Sequence, residues 1–318
     1  MKRDFITLEN WSTKELERLL EAAQSLKSSR AKNLEHLKGK ALGLIFQKPS
    51  NRTRVSFEVG FAQLGGFCIY LGPDEIDLGR RETTEDAAKT LSRYLDGIVA
   101  RTYKHEDVVE LAKHATIPII NGLSALHHPC QALADIFSIK EKFKKLEGLS
   151  LAYIGDGNNV CHSLLIGCAK MGIHMRVACP QGYEPHPEIV ENAKKFAQEK
   201  RTQILISHSP QEAVQGAQII YTDVWASMGE EHELEERIKI FKSFQINKNL
   251  TDLADPKYIF MHCLPAHRGQ EVTSQVIDGP HSIVFDQAEN RLHIQKAILL
   301  ELIVPVFPIN KRINSCLK

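Results

Sequence analysis

Ala217-Gln218-Ile219-Ile220-Tyr221-Thr222-Asp223-Val224 is the stretch that decides the fold. Its apolar residues run nearly unbroken, without the strict alternation of a strand that has one wet face. A strand buried on both sides reads this way, and both sides are buried when helices cover a parallel sheet. Flanking runs at 150–155, 175–180, 203–208, 258–264 and 282–287 read alike. Towards the N-terminus an earlier series appears at 41–46, 67–72, 97–102 and 118–122, separated by helical patterns at 53–64, 84–95 and 106–114. The spacing predicts further helices over 129–145 and 289–304, the second ended by Pro305 and Pro308. Ahead of all this, Ser12 and Glu15 have capping-box spacing, and Leu16, Leu19, Leu20, Ala23 and Leu26 make one helical stripe. The fold class is therefore α/β, with two domains that are each a mostly parallel sheet flanked by helices. The boundary is placed at Leu146-Glu147-Gly148-Leu149, giving domains 1–147 and 148–288 and a helical terminal segment 289–318.

Composition narrows the function. Forty Lys and Arg stand against 39 Asp and Glu, a net charge of +1, so no global field draws nucleic acid or an anionic membrane. Any anion site must be local. No apolar run has the length of a membrane span. The start, Met1-Lys2-Arg3-Asp4, leads into polar sequence that reads as neither signal nor transit peptide. Seven scattered cysteines without a CxxC pair suit reduced thiols and a cytoplasmic location.

Ligands of such sheets bind at the carboxyl ends of strands, and the unusual residues lie there. Lys48-Pro49-Ser50-Asn51-Arg52-Thr53-Arg54 follows a strand and opens a helix. Its hydroxyls, guanidiniums and free helix amides suit a phosphate; a basic, capped helix start on the surface is the alternative. Arg101 ends an apolar run. His127-His128-Pro129-Cys130-Gln131 again joins strand to helix, and Pro at the first helical position explains Pro129 but not His128. His128 and Gln131 stand one turn apart. Gly155-Asp156-Gly157-Asn158-Asn159-Val160 begins like a dinucleotide fingerprint but has Val160 in place of the third Gly, and the next strand ends at Cys179-Pro180 with no acid for a ribose. Asn159 is instead a candidate for hydrogen bonding a small polar ligand. Asp223, followed by Trp225-Ala226-Ser227-Met228-Gly229, suits an amine, or caps a helix. His262-Cys263-Leu264-Pro265-Ala266-His267 suggests zinc by residue type, yet a structural site wants four ligands and no second cluster follows. No metal is expected.

Together these segments resemble the aspartate and ornithine carbamoyltransferases. Ser50-Asn51-Arg52-Thr53-Arg54 resembles the family's S-T-R-T-R, and His128-Pro129-Cys130-Gln131 matches its H-P-x-Q. Asp223 with Ser227-Met228-Gly229, and His262-Cys263-Leu264-Pro265, resemble the ornithine branch. The resemblance runs from the first helix to Arg291. It implies an N-terminal domain for carbamoyl phosphate, a second domain for L-ornithine, and citrulline and phosphate as products. It also implies a last helix that packs back on the first domain, trimers or multiples of trimers, and no metal or organic cofactor. In that frame Ser50, Asn51, Arg52, Thr53 and Arg291 hold the phosphate. Arg101 and His128 polarise the carbamoyl oxygen, and Gln131, Cys263 and Leu264 complete the carbamoyl phosphate contacts. Asn159, Asp223, Ser227 and Met228 bind ornithine, with Cys263 beside its side-chain amine. Arg101, His128 and Cys263 are the catalytic candidates. Asn51 departs from the family's usual Thr, and Asp77 stands where Gln is usual. The rivals are another amine acceptor, such as putrescine or a modified ornithine, a catalytically silent relative, and an NAD-dependent dehydrogenase.

Overall fold

A computed structural model describes residues 2–28, 34–76, 78, 82–226 and 233–304. The chain forms two compact units, one from the described residues of 1–134 and 290–304, the other from those of 135–289. The first contains α1 (Thr13–Ser28), β1 (Ala41–Phe46), α2 (Asn51–Gln63), β2 (Phe67–Leu71), α3 (Thr84–Leu91), β3 (Gly97–Arg101), α4 (His105–His114) and β4 (Ile119–Leu123). Helix α5 (Pro129–Phe143) carries the chain into the second unit. There follow β5 (Ser150–Ile154), α6 (Asn159–Lys170), β6 (His174–Ala178), α7 (Pro187–Lys200), β7 (Ile204–Ser207), α8 (Pro210–Val214), β8 (Ile219–Thr222), α9 (Leu234–Phe241), α10 (Lys248–Thr251), β9 (Ile259–His262) and α11 (Ser274–Ile277). Helix α12 (Val284–Ile303) returns the chain to the first unit.

Both sheets are parallel, ordered β2-β1-β3-β4 and β7-β6-β5-β8-β9. Every residue of the inner strands β1, β3 and β8 is buried, as expected under helices, and so is every residue of β9 at the sheet's edge. The α1 capping box forms: Ser12 N donates to Glu15 Oε2 at 2.8 Å and Glu15 N to Ser12 Oγ at 3.4 Å. The stripe from Leu16 to Leu26 is buried.

The strand order fixes where ligands can go. Consecutive connections leave β1 and β3 in opposite directions in the first sheet, and β5 and β8 in the second. Loops diverge at such switch points and leave a crevice at the strands' carboxyl ends. The loop after β1 carries Ser50, and β3 ends at Arg101. The loop after β5 carries Asn158 and Asn159, and β8 is followed by Asp223.

One expectation differs from the structure. The run 282–287 is not a strand: Ser282 makes one isolated bridge to Phe260, and Val284 already starts α12. Gln287 N donates to Ile283 O at 2.9 Å, a helical bond, and Phe285 faces out while Ile283 and Val284 are buried. An apolar run this short has no periodicity to tell helix from strand. The two compact units meet inside α5, where Asp135 is tied to Tyr221 and Gln287 of the second unit.

Candidate active site

In the first unit the candidate anion site brings the start of α2 together with Arg101, His128, Gln131 and Arg291. Ser50 caps the helix, its Oγ accepting from Thr53 N at 3.3 Å. The first turn of α2 holds no acid, so no carboxylate of its own offsets its positive end. Asn51 is exposed there, Arg52 half-buried and Thr53 buried. From α12, Arg291 reaches across: Nη2 donates to Thr53 Oγ1 at 2.7 Å and Nη1 to Gln131 Oε1 at 3.0 Å. Arg101, His128, Gln131 and Arg291 are all buried. Residues far apart in sequence, 50–53, 101, 128–131 and 291, are thus gathered at one switch point. Cys130 is not among the reactive groups: its Sγ donates to Asn121 O, and burial pushes the thiol up to about 12.

Burial, then the charges of Arg291, Arg101 and Arg52, hold His128 well below the usual imidazole range. The ring is neutral at pH 7. The sign of its effect on stability follows. Unfolded, His128 takes up a proton near its ordinary 6.5; folded, it does so only at much lower pH. Between the two values the unfolded state binds more protons, so stability falls as pH falls below about 6.5, by up to about 1.4 kcal/mol per pH unit for one such group. His128→Gln should therefore lose less stability than the wild type between pH 7.5 and 5.5 in urea unfolding. Parallel losses would contradict this placement of the charges.

In the second unit, Asp223 collects three donors. Oδ1 accepts from Cys263 Sγ at 2.9 Å and from Val224 N at 2.8 Å; Oδ2 accepts from Asn158 Nδ2 at 2.9 Å. Asn158 is itself held: its Oδ1 caps α6 through Val160 N and Cys161 N and accepts from Tyr153 Oη at 3.2 Å. Asn159 opens α6 beside it. Arg237 braces both loops, donating to Asp156 Oδ2 at 3.0 Å and to Trp225 O at 2.9 Å. Leu264, at φ 60°, takes a left-handed conformation unusual for its type. Its N–H donates to His262 Nδ1 at 2.8 Å, so the ring carries its proton on Nε2, which faces Glu271 Oε1 at 3.2 Å.

The two side readings can now be judged. Donor atoms of His262 and Cys263, two of the three residues whose types suggest zinc, lie with those of Asp223 within 4.8 Å of one another; His267 is not in the group. Here Nδ1 and Nε2 of His262 and both oxygens of Asp223 are engaged in bonds inside the chain. Gly157 of the β5–α6 turn does not make room for a pyrophosphate. A Cβ on Gly157 would lie 2.3 Å from Pro185 N and 2.7 Å from Tyr183 O, so this glycine admits the chain's own 183–185 segment.

Comparison with known proteins agrees on one relationship. The family model described as the aspartate/ornithine carbamoyltransferase carbamoyl-P binding domain matches residues 3–141, and that of the Asp/Orn binding domain matches 147–302. The chain belongs to the aspartate/ornithine carbamoyltransferase family. Within that family it is 54% identical over 299 residues to an ornithine carbamoyltransferase of Thermococcus kodakarensis, covering 93% of this chain and 95% of that one. It is 53% identical to an anabolic ornithine carbamoyltransferase of Pyrococcus furiosus, with the same coverage. The solved structure of ornithine carbamoyltransferase from Pyrococcus furiosus superposes with a TM-score of 0.93 at 52% identity, over 96% of this chain and 98% of that one.

Against the family's pattern, Asn51 keeps its place in the first turn of α2. Asp77, Ser227, Met228 and Gly229 lie outside the described residues. Sequence reasoning passed over Asn158, Arg237 and Glu271. Asn158 carried a signal, since Asn immediately before a helical pattern is a cap; the other two act by long-range contact and carried none.

Proposed function

We infer that this chain catalyses transfer of the carbamoyl group of carbamoyl phosphate to the side-chain amine of L-ornithine, giving L-citrulline and phosphate. The observation that carries the reading is the pairing of two switch-point sites with the two family domains. Arg52, Arg101, His128 and Gln131 of the cradle lie in the stretch matched as the carbamoyl phosphate domain, with Arg291 added from α12, and a buried carboxylate, Asp223, lies in the stretch matched for the amino acid. Asp223 favours an ammonium-bearing acceptor; aspartate, with a second carboxylate, would be repelled. The anabolic Pyrococcus relative supports a role in arginine biosynthesis.

In this reading Ser50, Asn51, Arg52, Thr53 and Arg291 hold the phosphate. Thr53, Arg101 and neutral His128 aim donors at the carbamoyl oxygen, where negative charge develops on attack. Gln131 and the Leu264 carbonyl accept from the carbamoyl nitrogen. Asp223, Asn159, Ser227 and Met228 hold ornithine, and Cys263 stands at its δ-amine. The amine must be deprotonated to attack. As the new C–N bond forms, the carbonyl becomes tetrahedral; its collapse breaks the C–O bond, and phosphate leaves to the arginines and the α2 amides. No covalent enzyme intermediate is needed, and holding two reactants in register supplies much of the acceleration. With carbamoyl phosphate saturating, ornithine should exceed putrescine, lysine and aspartate in kcat/KM by about a hundredfold or more, ~2.7 kcal/mol. Equal use of putrescine would overturn the assignment of acceptor.

The enzyme works as a trimer or multiple of trimers in the cytoplasm. The trimer reading is supported by apolar side chains left exposed on the first unit: Val55 and Val59 one turn apart on α2, and Phe67 and Ile69 on the edge strand β2. Light scattering of the active protein should give three times the chain mass or a multiple; an active monomer would refute it. The six described cysteines are unbridged, in keeping with a reducing compartment, and no helix among the described residues is long and apolar enough to cross a membrane.

A further inference from the structure

Strand β9 is an edge of its sheet, and its outward backbone groups need partners that no neighbouring strand supplies. Phe260 N donates to His281 O at 2.8 Å, and Ile283 N returns to Phe260 O at 3.0 Å. Two residues on, at His262, the returning chain has already turned into α12. The Gln287 side chain takes the place of the missing carbonyl: its Oε1 accepts from His262 N at 3.0 Å. Its Nε2 donates to Asp135 Oδ1 at 2.7 Å and to Tyr221 Oη at 3.1 Å, and Tyr221 Oη donates to Asp135 Oδ2 at 3.0 Å. His262, Tyr221, Asp135 and Gln287 are each at most 1% exposed.

The chemistry of this group is one-directional. A carboxylate accepts only, so it must face the amide's NH2. That leaves the amide oxygen, and only the oxygen, to face the His262 N–H. The charge on Asp135 thereby fixes which way Gln287 points, and Gln287 fixes the end of β9. The next residue is Cys263, whose Sγ lies 2.9 Å from Asp223.

We propose that Gln287 and Asp135 are positioning residues for the acceptor half of the reaction, the charge of Asp135 orienting an amide that holds β9 so that Cys263 meets Asp223. Neither residue touches substrate in this scheme. The idea rests on the reading that the Asp223–Cys263 side receives the amine, and it makes that reading sharper.

The test uses the full-length enzyme. Gln287→Glu keeps an acceptor for His262 N–H but sets a second carboxylate against Asp135. Two buried carboxyls at this distance share one proton. With the proton in place, the acid O–H does what the amide N–H did; without it, the pair repels. The kcat/KM for ornithine, divided by the wild-type value at each pH, should rise about tenfold from pH 9 to pH 6, while the carbamoyl phosphate affinity ratio stays flat. Asp135→Asn is the milder variant should the glutamate not fold, and should lower kcat/KM for ornithine by about tenfold at pH 8. The double variant Asp135→Asn/Gln287→Glu again pairs one amide with one carboxylate and should recover to within about threefold of wild type. A readout without substrate separates this from the assignment of function: iodoacetamide labelling of Cys263, followed by peptide mass spectrometry, should quicken at least fivefold in Asp135→Asn. If the wild type does not use ornithine, the functional reading fails while the labelling result still judges the positioning. A flat pH ratio, no recovery in the double variant, or unchanged labelling would overturn the proposal.

Discussion

Arg291→Met is expected to weaken carbamoyl phosphate binding by about a hundredfold or more, ~2.7 kcal/mol. The guanidinium donates to Thr53 Oγ1 and to Gln131 Oε1 from a buried position on α12. Hydrogen bonds to a charged group contribute roughly 1.5–3 kcal/mol each, and unpaired buried partners carry a further penalty. Methionine fills similar volume but offers neither donor nor charge, so Thr53 and Gln131 lose their orientation at the moment an anion must be held. A second consequence follows from electrostatics. Arg291 is one of the charges that keep His128 hard to protonate, so its removal should raise the imidazole pKa. Calorimetric titration with carbamoyl phosphate, ornithine absent, reads the affinity; NMR of the imidazole reads the second effect. A loss below about fivefold would assign Arg291 to the packing of α12 and remove it from the phosphate site.

How much of this was legible in the sequence depends on how local each cause is. The strands of both sheets announced themselves, because burial on two faces leaves continuous apolar runs and parallel pairing demands the helices between them. Ser50, Thr53, His128 and Asp223 were visible because each interrupts such a run at a strand's end. Arg291 carries no local signal at all. It lies within a helix whose apolar neighbours say only that the helix is buried, and it entered through family resemblance. The run at 282–287 misled because Ile283-Val284-Phe285 serves a helix start as readily as a strand. Asp135 and Gln287 were illegible for a deeper reason. Their roles exist only once residues 152 positions apart in the chain have been folded to within 2.7 Å of each other, and neither residue type is rare where it stands.

Asp223→Asn should lower kcat/KM for ornithine by about a thousandfold, ~4.1 kcal/mol, while carbamoyl phosphate affinity changes by less than about twofold. Two causes combine. The first is lost charge: an amide cannot form the ionic contact that a carboxylate makes with an ammonium group, a difference of roughly 1.5–3 kcal/mol. The second is a conflict of donors specific to this fold. The carboxylate accepts from Cys263, Val224 and Asn158 at once. Asparagine can turn its oxygen towards Val224 and Cys263, but its NH2 then faces the NH2 of Asn158. Asn158 cannot rotate to relieve this, because its oxygen caps α6 and accepts from Tyr153. Turning the new amide the other way satisfies Asn158 and opposes the Val224 N–H instead. Either arrangement leaves a donor unpaired, at a cost of about 1–3 kcal/mol, and loosens Cys263 beside it. Part of that cost will appear as lowered thermal stability, so melting temperature must be read with the kinetics. Aspartate at this position is therefore required twice, by the substrate's charge and by its three neighbours in the protein. A loss of less than tenfold in kcat/KM would refute both requirements. An equal loss in carbamoyl phosphate affinity would show that the substitution acts through general disruption and not through the acceptor.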